Sequence, residues 1–461
     1  MKSLLALSLF FYFGTIALRF QHPEHGGKKP NFIFVYTDDQ RFDAMGANGN
    51  PIIITPRLDN MAAQGLQFVN ANVVFALCSP SRAAFLTGRY GSANGVLELG
   101  SDLNPGEKTV AQYLKEAGYL TGMVGKWHLG KKPAETGFDF SVFFTGNGDY
   151  YNRLIYDEGN SLRPEIHCDQ YCANRSVDFL KEAKASGKPF FLFHNTQLPH
   201  MNGELVWDAR EETKALYETD KMPVAKSRLD DLADKPDYLR TVRNLTQAKK
   251  YGYPEVDAIQ DHTRDYYAVI TEMDTYLSQL FDTIDKLGLR ENTYIFFMSD
   301  NGWMLGEHGF TSKVLPYRPS TRVPFFVLGP GLSPGVCEEL VLNIDMAPTI
   351  LELAGVEIPA SVHGRSIVPL LAGERMDWRD GFVYEGLGTY GGAKPNLTVI
   401  TRNFRYIETY DSDLLNTLYH IELYDQQADP DEIHNLAKSG RHSWIIEKAQ
   451  KILQKHKKNI K

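Results

Sequence analysis

The chain has 461 residues, 43% hydrophobic and 12% aromatic, enough to bury a large core and to make roughly two to three domain-sized units, or one large domain with an appendage. Its formal net charge of −8 argues against binding nucleic acid or an anionic membrane through the overall field, so an anionic substrate needs a local cluster of positive groups. Four cysteines are too few for a disulfide framework, and nothing in the composition points to disorder, collagen or a repeat array.

Lys2 and the apolar run Leu4 to Leu18 read as an export signal over residues 1–18, too short for a comfortable membrane span. A single membrane anchor is the competing reading. No later stretch is long and apolar enough to span a bilayer, so no stable membrane insertion is expected. The expected location is secreted or periplasmic, or lysosomal or extracellular in a eukaryote.

Asn31 to Thr37 (NFIFVYT) reads as a buried strand ending at Asp38-Asp39. Pro80 to Thr87 predicts a helix after a tight turn. Thr109 to Ala117 has helical periodicity and stops at Gly118. Tyr119 to Val124 predicts a short strand running into Gly125-Lys126-Trp127-His128. Cys168 and Cys172, four apart, can share a helix face. A bridge, a metal pair or packing stay open, with packing or a bridge favoured because no second pair has zinc-like spacing.

Pro189 to Asn195 (PFFLFHN) is a further apolar strand, leading to Pro199-His200. Residues 201–258 are charged and poorly periodic, and read as an insertion over the surface. Ile259 to Leu287 predicts a long amphipathic helix stopped at Gly288. Thr293 to Ser299 (TYIFFMS) is again a buried strand, followed by Asp300-Asn301, and Val323 to Leu328 is one more. Beyond about residue 370 the pattern turns to short alternating strands and a terminal helix.

Strands alternating with helices predict an α/β fold, a large mostly parallel (mixed) central sheet sandwiched by helices. The expected division is a catalytic domain over 30–370 and a smaller C-terminal α+β subdomain over 371–461. Such sheets place ligands beyond the carboxyl ends of their strands. Four predicted strands end at Asp38-Asp39, at Lys126 and His128, at His200, and at Asp300-Asn301. Clustered carboxylates repel one another, and a divalent cation removes the problem. Oxygen donors point to a hard ion, Ca²⁺ or Mg²⁺, rather than Zn²⁺.

The run Cys78-Ser79-Pro80-Ser81-Arg82, followed by Leu86-Thr87-Gly88-Arg89, resembles the signature of the formylglycine-dependent sulfatases of the alkaline phosphatase superfamily. The resemblance extends to Gly125–Gly130, Pro199-His200, Ser299–Gly302, Gly306–Gly309 with Lys313, and His363–Ser366. It covers the late segment Glu422–Asp425, Asp429-Pro430 and Asn435-Leu436 as well.

The resemblance implies that a maturation enzyme oxidises Cys78 to formylglycine, whose hydrate supplies the nucleophile for cleaving a sulfate ester. It implies Ca²⁺ ligands at Asp38, Asp39, Asp300, Asn301 and residue 78. Arg82 and Lys126 would orient the diol, with Lys126 also neutralising sulfate charge. His200 and Lys313 would contact substrate, with His200 favoured as general acid because a histidine titrates near working pH. His128 resembles the base that drives sulfate elimination from residue 78, a step a serine lacks the second hydroxyl to perform.

The expected substrate is a sulfated carbohydrate, an algal polysaccharide or glycosaminoglycan fragment. A phosphoryl hydrolase on the same scaffold and a non-catalytic carbohydrate-binding protein are the rival readings. Glu307, His308 and Arg322 stand open between structural and site roles, and Met201 leaves the His200 loop undefined.

Overall fold

The computed structural model describes residues 28–411, 415–458 and 460. The export-signal reading of residues 1–18 lies outside them. Ten strands form one sheet: β1 Asn31–Thr37, β2 Leu66–Asn72, β3 Leu120–Lys126, β4 Phe140–Phe144, β5 Ile155–Asp157, β6 Asn160–Leu162, β7 Phe190–Asn195, β8 Thr293–Ser299 and, after a two-stranded ribbon (β9 Met304–Leu305, β10 Thr311–Ser312), β11 Phe325–Leu328 and β12 Gly335–Leu342. Their order is β12-β2-β11-β8-β1-β7-β3-β4-β5-β6. The centre, β8-β1-β7-β3-β4, is parallel throughout. β11 runs antiparallel to β8 and β2, which makes the sheet mixed.

The central strands are apolar on both faces because both faces are covered. Along β1, Phe32, Phe34 and Tyr36 enter one core layer, while Ile33 and Val35 enter the other. On the first face lies the helix Cys78–Thr87, whose Phe85 ring sits 4.3 Å from Phe34 and 4.7 Å from Phe193 between centroids. On the second, the helices Cys168–Ser186 and Val256–Lys286 pack against each other and the sheet.

The predicted strands β1 and β8 appear with the expected bounds. Val323 to Leu328 shortens to β11, and the helix expected from Pro80 begins two residues earlier, at Cys78. Pro80 therefore stands third in that helix, where its missing N–H is not needed.

Beyond the main sheet, β13 Gly381–Gly386, β14 Asn396–Thr401, β15 Phe404–Tyr410 and β16 Leu418–Asp425 form an antiparallel sheet in chain order. The helix Ser443–Lys457 covers one face through Ile445, Ala449 and Leu453. Tyr384, Ile407 and Tyr424 on the other face join the main core. The Tyr384 hydroxyl donates to Val314 O at 2.7 Å and accepts from Ala76 N at 3.2 Å. The small sheet thus braces the segments that carry Cys78 and Lys313.

Candidate active site

The parallel strands deliver polar groups to one end of the sheet. β1 passes into Asp38 and Asp39, and its neighbour β8 passes into Asp300 and Asn301. Thr37 is registered opposite Ser299. Asp39 takes a left-handed backbone (φ 66°), which aspartate tolerates better than most residues. Its N–H donates to Asp300 Oδ1 at 3.2 Å, and Gln40 N donates to Ser299 Oγ at 2.9 Å, locking the two strand ends together.

The helix Cys78–Thr87 places Cys78 in its first turn and Arg82 one turn on, facing the same acids. Arg82 is buried. Its Nε and Nη2 donate to Asp300 Oδ2 at 3.0 and 2.8 Å, its Nη2 to Asp38 Oδ2 at 2.9 Å, and its Nη1 to Lys126 O at 2.9 Å. Lys126 Nζ lies 2.6 Å from Asp38 Oδ2 and donates to Asn147 Oδ1 at 3.0 Å. Lys313 Nζ pairs with Asp39 Oδ1 and lies 2.8 Å from Cys78 Sγ. Asp38, Asp39 and Asp300 thus meet Arg82, Lys126 and Lys313 in one buried cluster around residue 78.

The acids are unequal. Burial opposes ionisation of Asp38, yet Lys126, Lys313, His200 and Arg82 outweigh it and hold its carboxyl well below the usual range. Burial pushes Asp39 up to about 7; Lys313 opposes this, and the neighbouring Asp38 and Asp300 charges add to it. Asp39 Oδ2 and Asn301 Oδ1 are buried without a hydrogen-bond partner. Ligand atoms of Asp38, Asp39 and Cys78 lie within 4.8 Å of one another. Two orphaned oxygens in a cluster of buried carboxylates fit a hard divalent cation.

Burial, with the Asp38 charge, pushes the Cys78 thiol up to about 12 against Lys126 and Lys313. At neutral pH it is therefore no thiolate nucleophile.

His200 follows β7. Its Nδ1 donates to Met201 O at 2.7 Å, which leaves Nε2 toward the cluster, 3.6 Å from Asp39 Oδ2. Burial and the Lys126 charge hold its pKa well below the ordinary value. Met201, whose place in the loop the sequence leaves undefined, fixes the ring through that carbonyl. His128 also has a left-handed backbone (φ 62°), and its carbonyl accepts from Ser79 Oγ at 2.6 Å. Burial, then Lys126, depress its pKa.

Other candidates fall outside the cluster. Glu307 accepts from Arg41 Nη1 and from Leu305 N, both at 2.7 Å. His308 has a left-handed backbone (φ 55°), and its Nδ1 lies 2.7 Å from Asp230 Oδ2. Arg322 stacks on Phe42 and donates to Val69 O rather than to an internal carboxylate. Cys168 and Cys172 are free and buried, settling on packing instead of a bridge.

The structure adds residues the sequence analysis misses. Asn147 engages Lys126. Asp169 accepts from Gln197 N at 2.7 Å and Leu198 N at 2.9 Å, holding the loop before His200. Cys78, His200 and Lys313 open onto a pocket whose wall includes Leu99, Arg243, Gln247, Tyr251, Trp303 and Tyr390. The 201–258 segment, expected to lie over the surface, supplies three of these six.

Known proteins resemble this chain along most of its length. The sulfatase family pattern matches residues 30–356. The chain belongs to the sulfatase family. A second pattern, the C-terminal region of N-sulphoglucosamine sulphohydrolase, matches residues 306–459 of this sulfatase. It is 28% identical to the N-acetylglucosamine-6-O-sulfatase of Bacteroides thetaiotaomicron, over 94% of this chain and 87% of that one. It is 29% identical to an arylsulfatase of Clostridium perfringens, over 93% and 94%. A solved structure in complex with its substrate D-glucosamine-2-N,6-O-disulfate superposes with a TM-score of 0.85 at 26% identity, covering 94% of this chain and 98% of that one. As a sulfatase the protein is a sulfuric ester hydrolase. Among the described residues no helix is long and apolar enough to cross a membrane.

Proposed function

We propose that this sulfatase releases inorganic sulfate from a sulfated saccharide, most closely a glucosamine-containing glycosaminoglycan fragment, with the matured form of Cys78 as nucleophile. The observation that carries the reading is the cluster itself: a buried residue 78 held among Arg82, Lys126 and Lys313, opening onto a pocket. The glucosamine sulfatase among its relatives and the glucosamine disulfate bound by its structural neighbour support the saccharide. Secretion or export to a periplasm, and conversion of Cys78 by a formylglycine-generating enzyme, belong to the same proposal. So does the division into a catalytic domain over 30–370 and a subdomain over 371–461.

Asp38, Asp39, Asp300, Asn301 and residue 78 would hold one Ca²⁺, Mg²⁺ being less suited, and the ion supplies charge stabilisation for the sulfate and acidifies the attacking hydroxyl. The aldehyde hydrate at residue 78 supplies that hydroxyl and a second one. Arg82, pinned by two carboxylates and a carbonyl, fixes the helix start on which residue 78 sits. Lys126 and Lys313 keep positive charge directed at residue 78, where sulfate charge must be met.

Attack expels the substrate alcohol, which needs a proton. With Nδ1 held by Met201, His200 can deliver one only from Nε2, the nitrogen facing the cluster. Burial, then the Lys126 and Lys313 charges, depress its pKa, and the anionic ester offsets those charges. Lys313 is the second candidate donor. His128, kept neutral, takes up a proton from residue 78 as sulfate departs.

The test pairs the intact mass of the peptide containing residue 78 with sulfate release from N-acetylglucosamine 6-sulfate. The mass should show an aldehyde or its hydrate. Cys78→Ala should lose activity on the order of a thousand-fold or more. Wild-type rates no higher than those of that variant, in protein carrying the aldehyde, would sink the proposal.

A further inference from the structure

The outer wall of the pocket comes from two segments that the chemistry at residue 78 does not use. The helix Arg243–Lys250 presents Arg243 and Gln247, and the turn Tyr390–Gly392 presents Tyr390. Of the cations lining the pocket, Lys313 is paired with Asp39. Arg243 is exposed and pairs with no carboxylate among the described residues.

Its guanidinium is nonetheless held in place. Nη1 donates to the Tyr390 hydroxyl, and the guanidinium carbon lies 5.5 Å from that ring's centroid. Gly391 has φ +68°, and a Cβ there would lie 3.1 Å from the Arg243 Cβ. The turn can come this close to the arginine because residue 391 lacks a side chain. A guanidinium has five N–H donors in a planar fork, and Tyr390 uses one. The rest remain for a planar or tetrahedral oxyanion, which the fork suits better than a lysine would. The neighbouring wall, with Leu99, Leu205, Tyr251 and Trp303, offers apolar and aromatic faces of the kind a sugar ring packs on.

We infer that Arg243, cradled by Tyr390 and Gly391, is a specificity determinant that receives a second anionic substituent of the saccharide while the ester to be cleaved sits at residue 78. The substituent is a uronate carboxylate or a further sulfate. This rests on the reading of the centre as a saccharide sulfatase, and it narrows the substrate to a saccharide carrying at least two negative groups. A purely structural strut between the 201–258 segment and the C-terminal region would instead serve every substrate alike.

The experiment compares kcat/KM of matured wild type, Arg243→Gln and Arg243→Lys on three compounds. These are N-acetylglucosamine 6-sulfate, glucosamine-2-N,6-O-disulfate, and a disaccharide joining a hexuronate to N-acetylglucosamine 6-sulfate. Wild type should prefer at least one doubly charged compound over the monosulfate. Arg243→Gln should cut that preference about ten-fold, and Arg243→Lys should keep part of it. The compound whose preference collapses identifies the anion as sulfate or carboxylate. No preference in wild type, or an equal slowing of all three compounds by Arg243→Gln, overturns the inference while the sulfatase reading stands. No sulfate release by wild type from any compound overturns both.

Discussion

Arg82 and Asp300 are buried against each other, with both Nε and Nη2 of the arginine donating to one carboxylate oxygen, at 3.0 and 2.8 Å. Nη2 also reaches Asp38, and Nη1 reaches the Lys126 carbonyl. One side chain from the helix Cys78–Thr87 therefore touches residues from three strand ends, β8, β1 and β3. Its role is registry: it fixes residue 78 relative to the acids.

Removing that guanidinium leaves Asp38 and Asp300 buried with less compensating charge. We predict that Arg82→Ala lowers the unfolding free energy by about 3 to 5 kcal/mol. Arg82→Lys should fall between, since an ammonium cannot reach two carboxylates and a carbonyl in the same plane. Urea unfolding followed by fluorescence measures this, and a wild-type midpoint for Arg82→Ala would reject the registry role.

The orphaned oxygens of Asp39 and Asn301 lead to a prediction on cation binding. Added Ca²⁺ should raise the unfolding free energy, by about 2.7 kcal/mol at a free concentration roughly a hundred times the dissociation constant. Chelator should reverse the gain, and Mg²⁺ should give less. Asp39→Asn and Asn301→Ala should each reduce it. Thermal melts with and without the ions provide the readout; a full Ca²⁺ gain in both variants would place the ion elsewhere.

What the sequence made legible follows from burial. β1 and β8 lie in the sheet centre with both faces covered, so NFIFVYT and TYIFFMS are unbroken apolar runs with polar stops. β2 and β12 went unpredicted because LQFVNAN mixes amides into its pattern and GVCEELVL is largely exposed in its first half. The acids at the strand ends stood out because they ended apolar runs. Asp169 did not, since an acid in the first turn of a helix ordinarily serves the helix dipole, and only the tertiary fold brings the Gln197 and Leu198 N–H groups to it. Arg243, Tyr390 and Cys78 are far apart in the chain, and no local pattern marks them as neighbours of one pocket.

Asp169 gives the next prediction. Its two oxygens each accept one backbone N–H, from Gln197 and from Leu198, and these fix the approach to His200. Asp169→Asn keeps the volume but replaces one acceptor with a donor, leaving a buried N–H unmatched at a cost of about 1 to 3 kcal/mol. We expect a lower kcat through His200 and a smaller change in KM. A variant with wild-type kcat would show that the loop holds its shape without this carboxylate.

His194 ties stability to pH. It lies buried on β7, its Nδ1 is 2.8 Å from Ser176 Oγ, and burial lowers its pKa to about 4. In the unfolded chain it titrates near 6.5. Between these values the unfolded state binds more protons than the native state, so unfolding free energy rises with pH across that window. The contribution is fully present above about pH 6.5 and is lost as pH falls toward 4, amounting to about 3 kcal/mol. His167, lowered to about 3 by burial and the Arg210 and Arg153 charges, adds to the same slope. His194→Gln removes the titrating group while keeping a polar partner for Ser176. Urea unfolding measured from pH 7 to 4.5 should therefore show a shallower loss of stability in His194→Gln than in wild type, and parallel curves for the two proteins would mean that His194 charges as readily in the folded sheet as in the unfolded chain.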